Sequence, residues 1–391
     1  MSTKMRNTSS QRVNQIAPSG IRKFFDLLAS MEGVISLGVG EPDFTTPWHI
    51  REAAIYSLEK GYTMYTSNSG MPELRRELSR YLKERYNLSY DPDTELLITV
   101  GVSEALDLAT RAVLDPGDEV IMPDPCYVSY SPCVTLAGGI PIMVPTHEEN
   151  NFELNAADIE ARVTSKTKAI LIGYPSNPTG AVMSKEKLLR LAEVAQRHQL
   201  LVISDEIYAR LVYGVKHTCF ATLPEMKEST VLLGGFSKAY AMTGWRIGYA
   251  AASKEIIAAM TKIHQYTIMC APTMAQVAAI EALKSGESSV LEMVEDYNRR
   301  RLVMVKGLND LGLRCFEPKG AFYAFPSIKA TGMTSEEFAE KLLVEEKVAV
   351  VPGNAFGQCG EGYVRCSYAT SLAEIEEALL RMGRFVKKCK K

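Results

Sequence analysis

The amino-acid sequence predicts an α/β protein with a mainly parallel central sheet that is covered by helices on both faces. Two observations predict this class. From Glu95 onward, short apolar runs alternate with segments of helical periodicity, and such alternation is typical of parallel sheets. The runs, for example residues 231–233, are continuously apolar, as expected for strands that are buried on both faces.

The first predicted elements precede this alternation. A helix is predicted over residues 19–29, and a short strand over 34–37. The loop at 38–43 has two glycines before a proline, which suits a backbone that approaches another group closely. The next helix is predicted to begin near Pro72, because proline is tolerated at the first helical position.

The alternating region supplies the predicted sheet. Strands are expected at 96–100, 119–122, 140–144, 169–172, 200–204, 231–233 and 247–251. Helices are expected from Ser103 and near 126–137, 156–163 and 184–198. Because ligands of such sheets bind beyond the carboxyl ends of the strands, the residues that directly follow the strands are candidates for a site.

The C-terminal part has a different pattern. Residues 254–310 are predicted to form long helices whose apolar stripe belongs to the core. Shorter strands and helices follow, expected at 321–325, 335–343, 348–351, 363–367 and 372–385. With 391 residues, the chain is too long for one ordinary core. We predict an N-terminal arm (1–45), a large domain (46–290) and a small α+β domain (291–391) that the arm joins.

Charge and cysteine content exclude several classes of protein. The chain has 44 basic and 46 acidic side chains, so no general attraction to nucleic acid or to anionic membranes is expected. No apolar stretch approaches the roughly 18 residues of a membrane span. The eight cysteines show neither a C-x-x-C pair nor metal-ligand spacing, which predicts reduced thiols in a cytoplasmic protein.

The stretch 231–249 contains the strongest candidates for chemistry. Lys238 and Arg246 lie on a short connection between two predicted core strands, where a scaffold can fix reactive groups. A partly desolvated lysine has a lowered pKa and can act as a nucleophile. Taken alone, Lys238 would more simply be a solvated loop lysine, and its sequence context decides between these interpretations.

That context, Phe-Ser-Lys at 236–238 with Thr-Gly-Trp-Arg-Ile-Gly at 243–248, resembles the cofactor-lysine signature of class I aminotransferases. These are pyridoxal 5'-phosphate enzymes of fold type I. The resemblance implies that Lys238 forms the Schiff base with the cofactor, and that Ser237 and Arg246 bind its phosphate.

The resemblance extends from about Ile16 to Phe385, nearly the whole chain. One departure concerns Gly235, because many members of the family have a further phosphate-binding serine at this position. The corresponding hydrogen bond is therefore expected to be absent or replaced in this protein.

Further cofactor contacts are predicted where strands end. Val102 and Ser103 lie at a strand-to-helix turn, where free amides and the helix dipole favour an anion, although many such turns look alike. The resemblance places Tyr127 against the pyridine ring. It also implies that Asn177, which by chemistry alone belongs to a Pro-Thr-Gly turn, bonds the phenolic oxygen of the cofactor.

Asp205 and Glu206 end a predicted buried strand. As carboxylates in that position they suit helix caps or metal ligands as well as catalysis. The resemblance assigns Asp205 to the protonated pyridine nitrogen, where an opposite charge within about 4–6 Å favours the charged form. It assigns Tyr208 to the phenolic oxygen.

Three residues are assigned to the substrate and to a second subunit. The resemblance implies that Gly38 borders the substrate carboxylate and that Arg365 binds it as a bidentate fork; an internal carboxylate is the simpler partner of a half-buried arginine. It also implies that Tyr65 reaches the cofactor phosphate of a partner subunit in a homodimer, although Tyr65 would equally suit a packing role.

The sequence therefore predicts a pyridoxal-phosphate-dependent aminotransferase that acts on an L-amino acid and a 2-oxo acid such as 2-oxoglutarate. Aspartate-type members carry a lysine where this chain has the neutral Ser103, which favours an aromatic or large neutral substrate over aspartate. The alternatives are an aspartate or other amino-acid aminotransferase, a C–S β-lyase on the same fold, and a regulator fused to a DNA-binding module. No basic recognition helix precedes the matching region, which disfavours the regulator.

Overall fold

The structure, a computed structural model, describes residues 8–18 and 31–389. The helix predicted over 19–29 lies outside these residues. The first described elements are α1 (Gln11–Asn14), β1 (Ile35–Ser36), α2 (Trp48–Glu59) and α3 (Pro72–Tyr86). Helix α3 begins at the predicted residue, whereas no sequence pattern predicts α2.

The centre of the protein is a seven-stranded sheet. Its strands are β2 (Leu96–Thr99), β3 (Glu119–Asp124), β4 (Ile140–Pro145), β5 (Thr167–Gly173), β6 (Leu201–Asp205), β7 (Thr230–Gly235) and β8 (Gly248–Ala251). They are ordered β2-β8-β7-β6-β5-β3-β4 in space. Strand β8 runs antiparallel to both of its neighbours, and all other pairs are parallel. The predicted mainly parallel sheet is confirmed, with strand bounds that differ by a few residues.

Helices follow the first strands of the sheet in turn. They are α4 (Gly101–Val113), α5 (Tyr130–Leu136), α6 (Ala156–Glu160) and α7 (Lys185–Arg197). Helix α7 has a side-chain cap, because Oγ of Ser184 accepts a hydrogen bond from the amide of Lys187 at 3.3 Å. Helix α4 has no side-chain cap at Val100, so its first amides are available to other acceptors.

Three long helices come next, α8 (Lys254–Thr267), α9 (Thr273–Ser285) and α10 (Glu287–Asp310). Their apolar stripes are buried, for example at Met260 and Met304, as the sequence predicts. The predicted domain boundary at 290/291 falls inside the continuous helix α10, and the division into domains stays a prediction.

The C-terminal elements are β9 (Tyr323–Ala324), α11 (Ser335–Glu346), β10 (Val348–Ala349), β11 (Val351–Pro352), β12 (Val364–Ser367) and α12 (Leu372–Cys389). The single strand predicted at 348–351 is wrong. Strand β10 pairs in parallel with the N-terminal β1, and β11 belongs to an antiparallel sheet with β12 and β9. The chain therefore changes sheets at Val350, and one hydrophobic core joins Leu37 to Phe338 and Phe385.

In the described part of the chain, none of the helices combines the length and apolarity needed to cross a membrane. The same residues contain no group of three or more His, Cys, Asp and Glu side chains that could hold a metal ion.

Candidate active site

A cavity of about 680 Å³ opens at the carboxyl ends of the central strands. Asp205 is the last residue of β6, and Lys238 follows the end of β7. Because parallel strands end at the same edge of the sheet, the residues after β3 and β5 reach this cavity as well. Ten of the predicted site residues line it: Val102, Ser103, Tyr127, Asn177, Asp205, Tyr208, Ser237, Lys238, Arg246 and Arg365.

The amine of Lys238 lies inside this cavity. Its Nζ donates a hydrogen bond to the carbonyl oxygen of Gly40 at 2.7 Å. Burial lowers the pKa of Lys238 to about 8, an effect that Glu41 opposes and Arg365 reinforces. At neutral pH, Lys238 is therefore present as the nucleophilic free amine in a larger fraction of molecules than a solvated lysine would be.

The carboxylate of Asp205 is buried. Its Oδ2 accepts a hydrogen bond from the hydroxyl of Tyr130 at 2.9 Å, and its Oδ1 accepts one from the amide of Ile207 at 3.1 Å. Burial raises the pKa of Asp205 to about 6, although these two hydrogen bonds act in the opposite direction. A cationic group placed beside this carboxylate would stabilise its charged form.

The part of the cavity wall at the start of α4 favours anions. Helix α4 begins at Gly101, whose backbone φ is +76°, and a Cβ at this position would lie 2.7 Å from Nη2 of Arg246. Glycine is therefore needed for the guanidinium to approach the uncapped helix N-terminus. The amides of Val102 and Ser103, the helix dipole and Arg246 together favour a dianion such as a phosphate group.

The absence of a serine at position 235 has a steric reason. A Cβ added to Gly235 would lie 2.9 Å from Cγ2 of Val102 and 3.3 Å from Cδ1 of Ile207. The space that a larger side chain would need is occupied by these two residues. Ser237, which is buried beside the cavity, remains available as a hydroxyl donor.

Arg365 is hydrogen-bonded to two separate segments of the chain. Its Nη1 donates to Oδ1 of Asn177 at 2.8 Å, and its Nη2 donates to the carbonyl of Gly38 at 2.7 Å. The guanidinium carbon lies 4.5 Å from the ring centroid of Tyr323 and 4.9 Å from that of Phe356. Nε of Arg365 is buried and has no partner among the described residues, so this arginine can accept a further anionic ligand.

Aromatic side chains complete the walls. The hydroxyls of Tyr208 and Tyr323 are hydrogen-bonded to each other at 2.7 Å, and burial raises the pKa of Tyr208 well above its usual value. The ring of Tyr127 lies edge-on to that of Tyr130, with the centroids 5.6 Å apart.

Two predicted site residues do not line the cavity. Gly38 contributes through its carbonyl contact with Arg365. Tyr65 lies outside the cavity of its own chain and is 78% exposed.

Sequence reasoning missed three residues that the structure brings to the site. Tyr130 and Tyr323 contact predicted site residues over separations of 75 and 115 residues, and no local motif indicates these pairs. Gly40 acts through its backbone carbonyl. The two glycines before Pro42 indicate a close backbone approach but not the partner.

The donor set of the cavity fits a molecule that combines a phosphate group with a cationic nitrogen. Pyridoxal phosphate has a phosphate group that suits the amides and Arg246, and a ring nitrogen whose protonated form suits Asp205. Fold and site together define a pyridoxal-phosphate-dependent enzyme of fold type I. Residues 32–382 match the family described as "Aminotransferase class I and II". The chain belongs to this family and is a pyridoxal-phosphate-dependent aminotransferase.

Named relatives cover almost the whole chain. It is 61% identical to the "Putative aminotransferase YugH" of Bacillus subtilis over 97% of this chain and 98% of the relative. It is 49% identical to an "Aspartate aminotransferase" of Pyrococcus abyssi, over 97% of this chain and 99% of the relative. The "Aromatic-amino-acid aminotransferase 2" of Thermococcus litoralis is 47% identical, with the same coverage of both chains. These names favour amino transfer over β-elimination, and they do not fix the substrate.

Solved structures show the same fold. The aromatic aminotransferase from Pyrococcus horikoshii aligns with a TM-score of 0.90 and 47% identity, over 93% of this chain and 99% of that one. The aspartate aminotransferase from Thermus thermophilus with maleate aligns with a TM-score of 0.92 and 40% identity, over 97% of this chain and 100% of that one.

Proposed function

We propose that this aminotransferase moves the amino group of an aromatic or other large neutral L-amino acid to a 2-oxo acid such as 2-oxoglutarate. The observation that carries the proposal is the distribution of positive charge. Among the residues that line the cavity, the cations are Lys238, Arg246 and Arg365. Lys238 is proposed to serve the cofactor aldehyde, Arg246 the phosphate, and Arg365 the substrate α-carboxylate. A second substrate carboxylate would therefore lack a charged partner. Burying an unpaired anion is costly.

Apolar contacts support the same preference. The cavity wall includes the aliphatic residues Val39, Leu106, Val128 and Ile207. A large neutral side chain gains about 25 cal/mol for each Å² of apolar surface that it buries there. An aspartate side chain has little such surface to bury.

Lys238 is proposed to bind the cofactor and to move the substrate proton. When bound, pyridoxal phosphate supplies an aldehyde that reacts with amines and a ring that withdraws electrons from the substrate Cα. The lowered pKa of Lys238, about 8, lets its amine act as a nucleophile and afterwards as a general base and acid.

Asp205 is proposed to hold a proton on the ring nitrogen of the cofactor. Hydrogen bonds from Tyr130 and Ile207 fix the orientation of its buried carboxylate. In this orientation the carboxylate can accept a hydrogen bond from the protonated ring nitrogen. Tyr208 and Asn177 are proposed to bond the phenolic oxygen, and Tyr127 to contact the ring. All of these residues line the same cavity.

The phosphate is proposed to bind at the amides of Val102 and Ser103, with Ser237 and Arg246 as further donors. This assignment follows from the uncapped N-terminus of α4 and from the close approach of Arg246 to Gly101. The α-carboxylate of the substrate is proposed to bind Arg365 as a bidentate ion pair, beside Gly38 and Asn177.

The enzyme is proposed to work as a homodimer in which Tyr65 contributes to the partner's phosphate site. The chain exposes large apolar side chains at Trp48, Met64, Tyr65 and Tyr266, on α2, the 62–65 segment and the end of α8. Exposed apolar surface of this kind is typical of subunit interfaces. Because this surface includes Tyr65, a second copy of this chain is the proposed occupant.

A cytoplasmic location is proposed from the thiols. All eight cysteines are free in the structure, four of them buried, and reduced cysteines are typical of reducing compartments.

The test mixes the purified, cofactor-loaded enzyme with a panel of L-amino acids and follows the absorbance of the cofactor. Phenylalanine and tyrosine should convert the cofactor fastest, and 2-oxoglutarate should restore it. A clear preference for aspartate would overturn the substrate assignment. Release of pyruvate and ammonia without an acceptor would show elimination instead of transfer.

A further inference from the structure

The loop between β1 and α2, residues 38–46, makes two contacts with the active site through its backbone. The carbonyl of Gly38 accepts a hydrogen bond from Arg365, and the carbonyl of Gly40 accepts one from Nζ of Lys238, both at 2.7 Å. Because both acceptors are main-chain atoms, their positions depend on the conformation of the whole loop.

A buried arginine outside the cavity holds the middle of this loop. Nη1 of Arg300, on helix α10, donates to both carboxylate oxygens of Asp43, at 2.9 and 2.8 Å. Its Nη2 lies 2.6 Å from Oδ2 of Asp296. The Arg300 side chain is only 10% exposed, and its guanidinium lies near the rings of Phe44 and Tyr297. These contacts restrict Arg300 to one orientation.

The end of the loop is attached to the segment that carries Lys238. Oγ1 of Thr46 donates to the carbonyl of Ala241 at 2.6 Å and accepts a hydrogen bond from Nε1 of Trp245 at 2.9 Å. Gly40 therefore lies between an attachment at Gly38 and two others at Asp43 and Thr46. A Cβ at Gly40 would lie 2.7 Å from the hydroxyl of Tyr323, so the loop has little room to move toward the cavity.

We propose that the Asp43–Arg300 ion pair positions the Gly40 carbonyl as the acceptor for the protonated amine of Lys238. This inference rests on the proposed catalytic role of Lys238. Neither Asp43 nor Arg300 lines the cavity, so both are positioning residues. A carbonyl acceptor stabilises the ammonium form of a lysine. When the ion pair is lost, the loop relaxes, the Gly40 carbonyl and the neighbouring Glu41 carboxylate move away from Nζ, and Lys238 loses its proton more readily. Of the other charged groups that act on Nζ, Asp205 favours its protonation and Arg246 and Arg365 oppose it, and none of these three lies on the loop.

The primary variant is Asp43→Asn, which keeps the shape of the side chain but weakens its bond to Arg300. The apoenzyme is labelled with acetic anhydride across the pH range, and the acetylated Lys238 peptide is quantified by mass spectrometry. Loss of most of one charge-assisted hydrogen bond should lower the midpoint of Lys238 labelling by about one pH unit. In the loaded enzyme, kcat/KM should fall roughly tenfold, mainly through kcat.

The matched control is Lys306→Gln on the same helix. Lys306 is 78% exposed and pairs with Asp310, so this variant removes a surface ion pair of α10 that involves none of Asp43, Asp296 and Arg300. This variant should leave both the labelling midpoint and kcat unchanged. The double variant Asp43→Asn with Arg300→Gln should shift the midpoint no further than the single variant, because paired residues act as a unit.

An Asp43→Asn variant with an unchanged Lys238 midpoint would overturn the proposal, even if its melting temperature fell. Failure of the underlying assignment is separately visible. In that case, borohydride reduction of the loaded enzyme would mark a lysine other than Lys238.

Discussion

The hydroxyl of Tyr130 donates a hydrogen bond to Oδ2 of Asp205 across 2.9 Å of the protein interior. The approach depends on Gly173 at the end of β5, because a Cβ there would lie 2.0 Å from that hydroxyl. The end of β6, the end of β5 and the start of α5 thus combine to position one buried carboxylate. Burial raises its pKa to about 6. Ionisation of Asp205 therefore destabilises the folded apoenzyme, and a cationic partner beside the carboxylate would offset this cost.

Asp205→Asn should therefore separate stability from activity. The pKa of Asp205 is about 6 in the folded protein, and that of an unperturbed aspartate is 3.8. Between these two pH values the unfolded chain therefore binds fewer protons than the folded protein. The contribution of Asp205 to stability falls as the pH rises through this window and stays low above it. The apo variant should be more stable than the apo parent at pH 7.5, by up to about 3 kcal/mol, and the gap should close near pH 4.

Thermal unfolding at the two pH values measures this difference.

In the same Asp205→Asn variant, kcat should fall far more than cofactor content, because Asn lacks the charge that favours a protonated ring nitrogen. Tyr130→Phe is the companion variant. It removes a bond that lowers the pKa of Asp205, and it should reduce kcat roughly tenfold. Near-normal turnover of Asp205→Asn at saturating cofactor would refute the proposed role.

Lys238 should be the lysine that binds the cofactor covalently. Borohydride reduction of the loaded enzyme followed by peptide mapping should place the adduct on Lys238, because no other lysine among the described residues lines the cavity. Lys238→Ala should retain cofactor through the phosphate and ring contacts, while turnover becomes negligible. Lys227, which pairs with Glu95 and Glu228 outside the cavity, provides a control, and Lys227→Ala should remain active.

Much of the fold could be predicted because buried parallel strands are continuously apolar. Helix α2 could not, because its buried residues are Ile50, Ala54 and Ser57, while the large side chains of Trp48 and Tyr56 are exposed. This distribution gives no apolar stripe on the inner face. A search for helical periodicity therefore has little to detect in this segment.

The site residues also fall into some that the sequence could predict and others that it could not. Asp205 ends β6 and Asn177 lies in the turn after β5, so both are candidates as residues at converging strand ends, and the family resemblance assigns their roles. Tyr130 could not be predicted, since its partner is 75 residues away. The acceptor of Lys238 is a main-chain carbonyl, which every residue has, so sequence carries no specific signal for it.

Arg365→Lys should weaken every amino-acid substrate to a similar extent. Lysine offers a point charge instead of two parallel donors, and it cannot bond Asn177 and Gly38 together as the guanidinium does. Losing one charge-assisted bond costs roughly 1.5–3 kcal/mol, which corresponds to about a 10- to 150-fold fall in kcat/KM. Steady-state kinetics with phenylalanine, tyrosine and aspartate measure the effect. A loss confined to one substrate class would place Arg365 at the side-chain pocket.

Ser103 should influence which substrates are preferred. It lies in the first turn of α4 and lines the cavity without carrying charge. The unmodified enzyme should therefore have a higher kcat/KM for phenylalanine or tyrosine than for aspartate, with 2-oxoglutarate as acceptor. Ser103→Lys should narrow that gap by improving aspartate, because the ammonium group can pair with the distal carboxylate.

Ser103→Met is the matched control, since methionine has a similar length and no charge. It should not improve aspartate, and a gain in this variant would assign the effect to shape. 2-Oxoglutarate is itself a dicarboxylate, so the pocket must bind its second carboxylate through hydroxyls or water. The comparison is therefore made between amino donors at a fixed concentration of this acceptor. If the unmodified enzyme clearly prefers aspartate, the inference from Ser103 is wrong, and a cation from outside the described cavity lining must hold the second carboxylate.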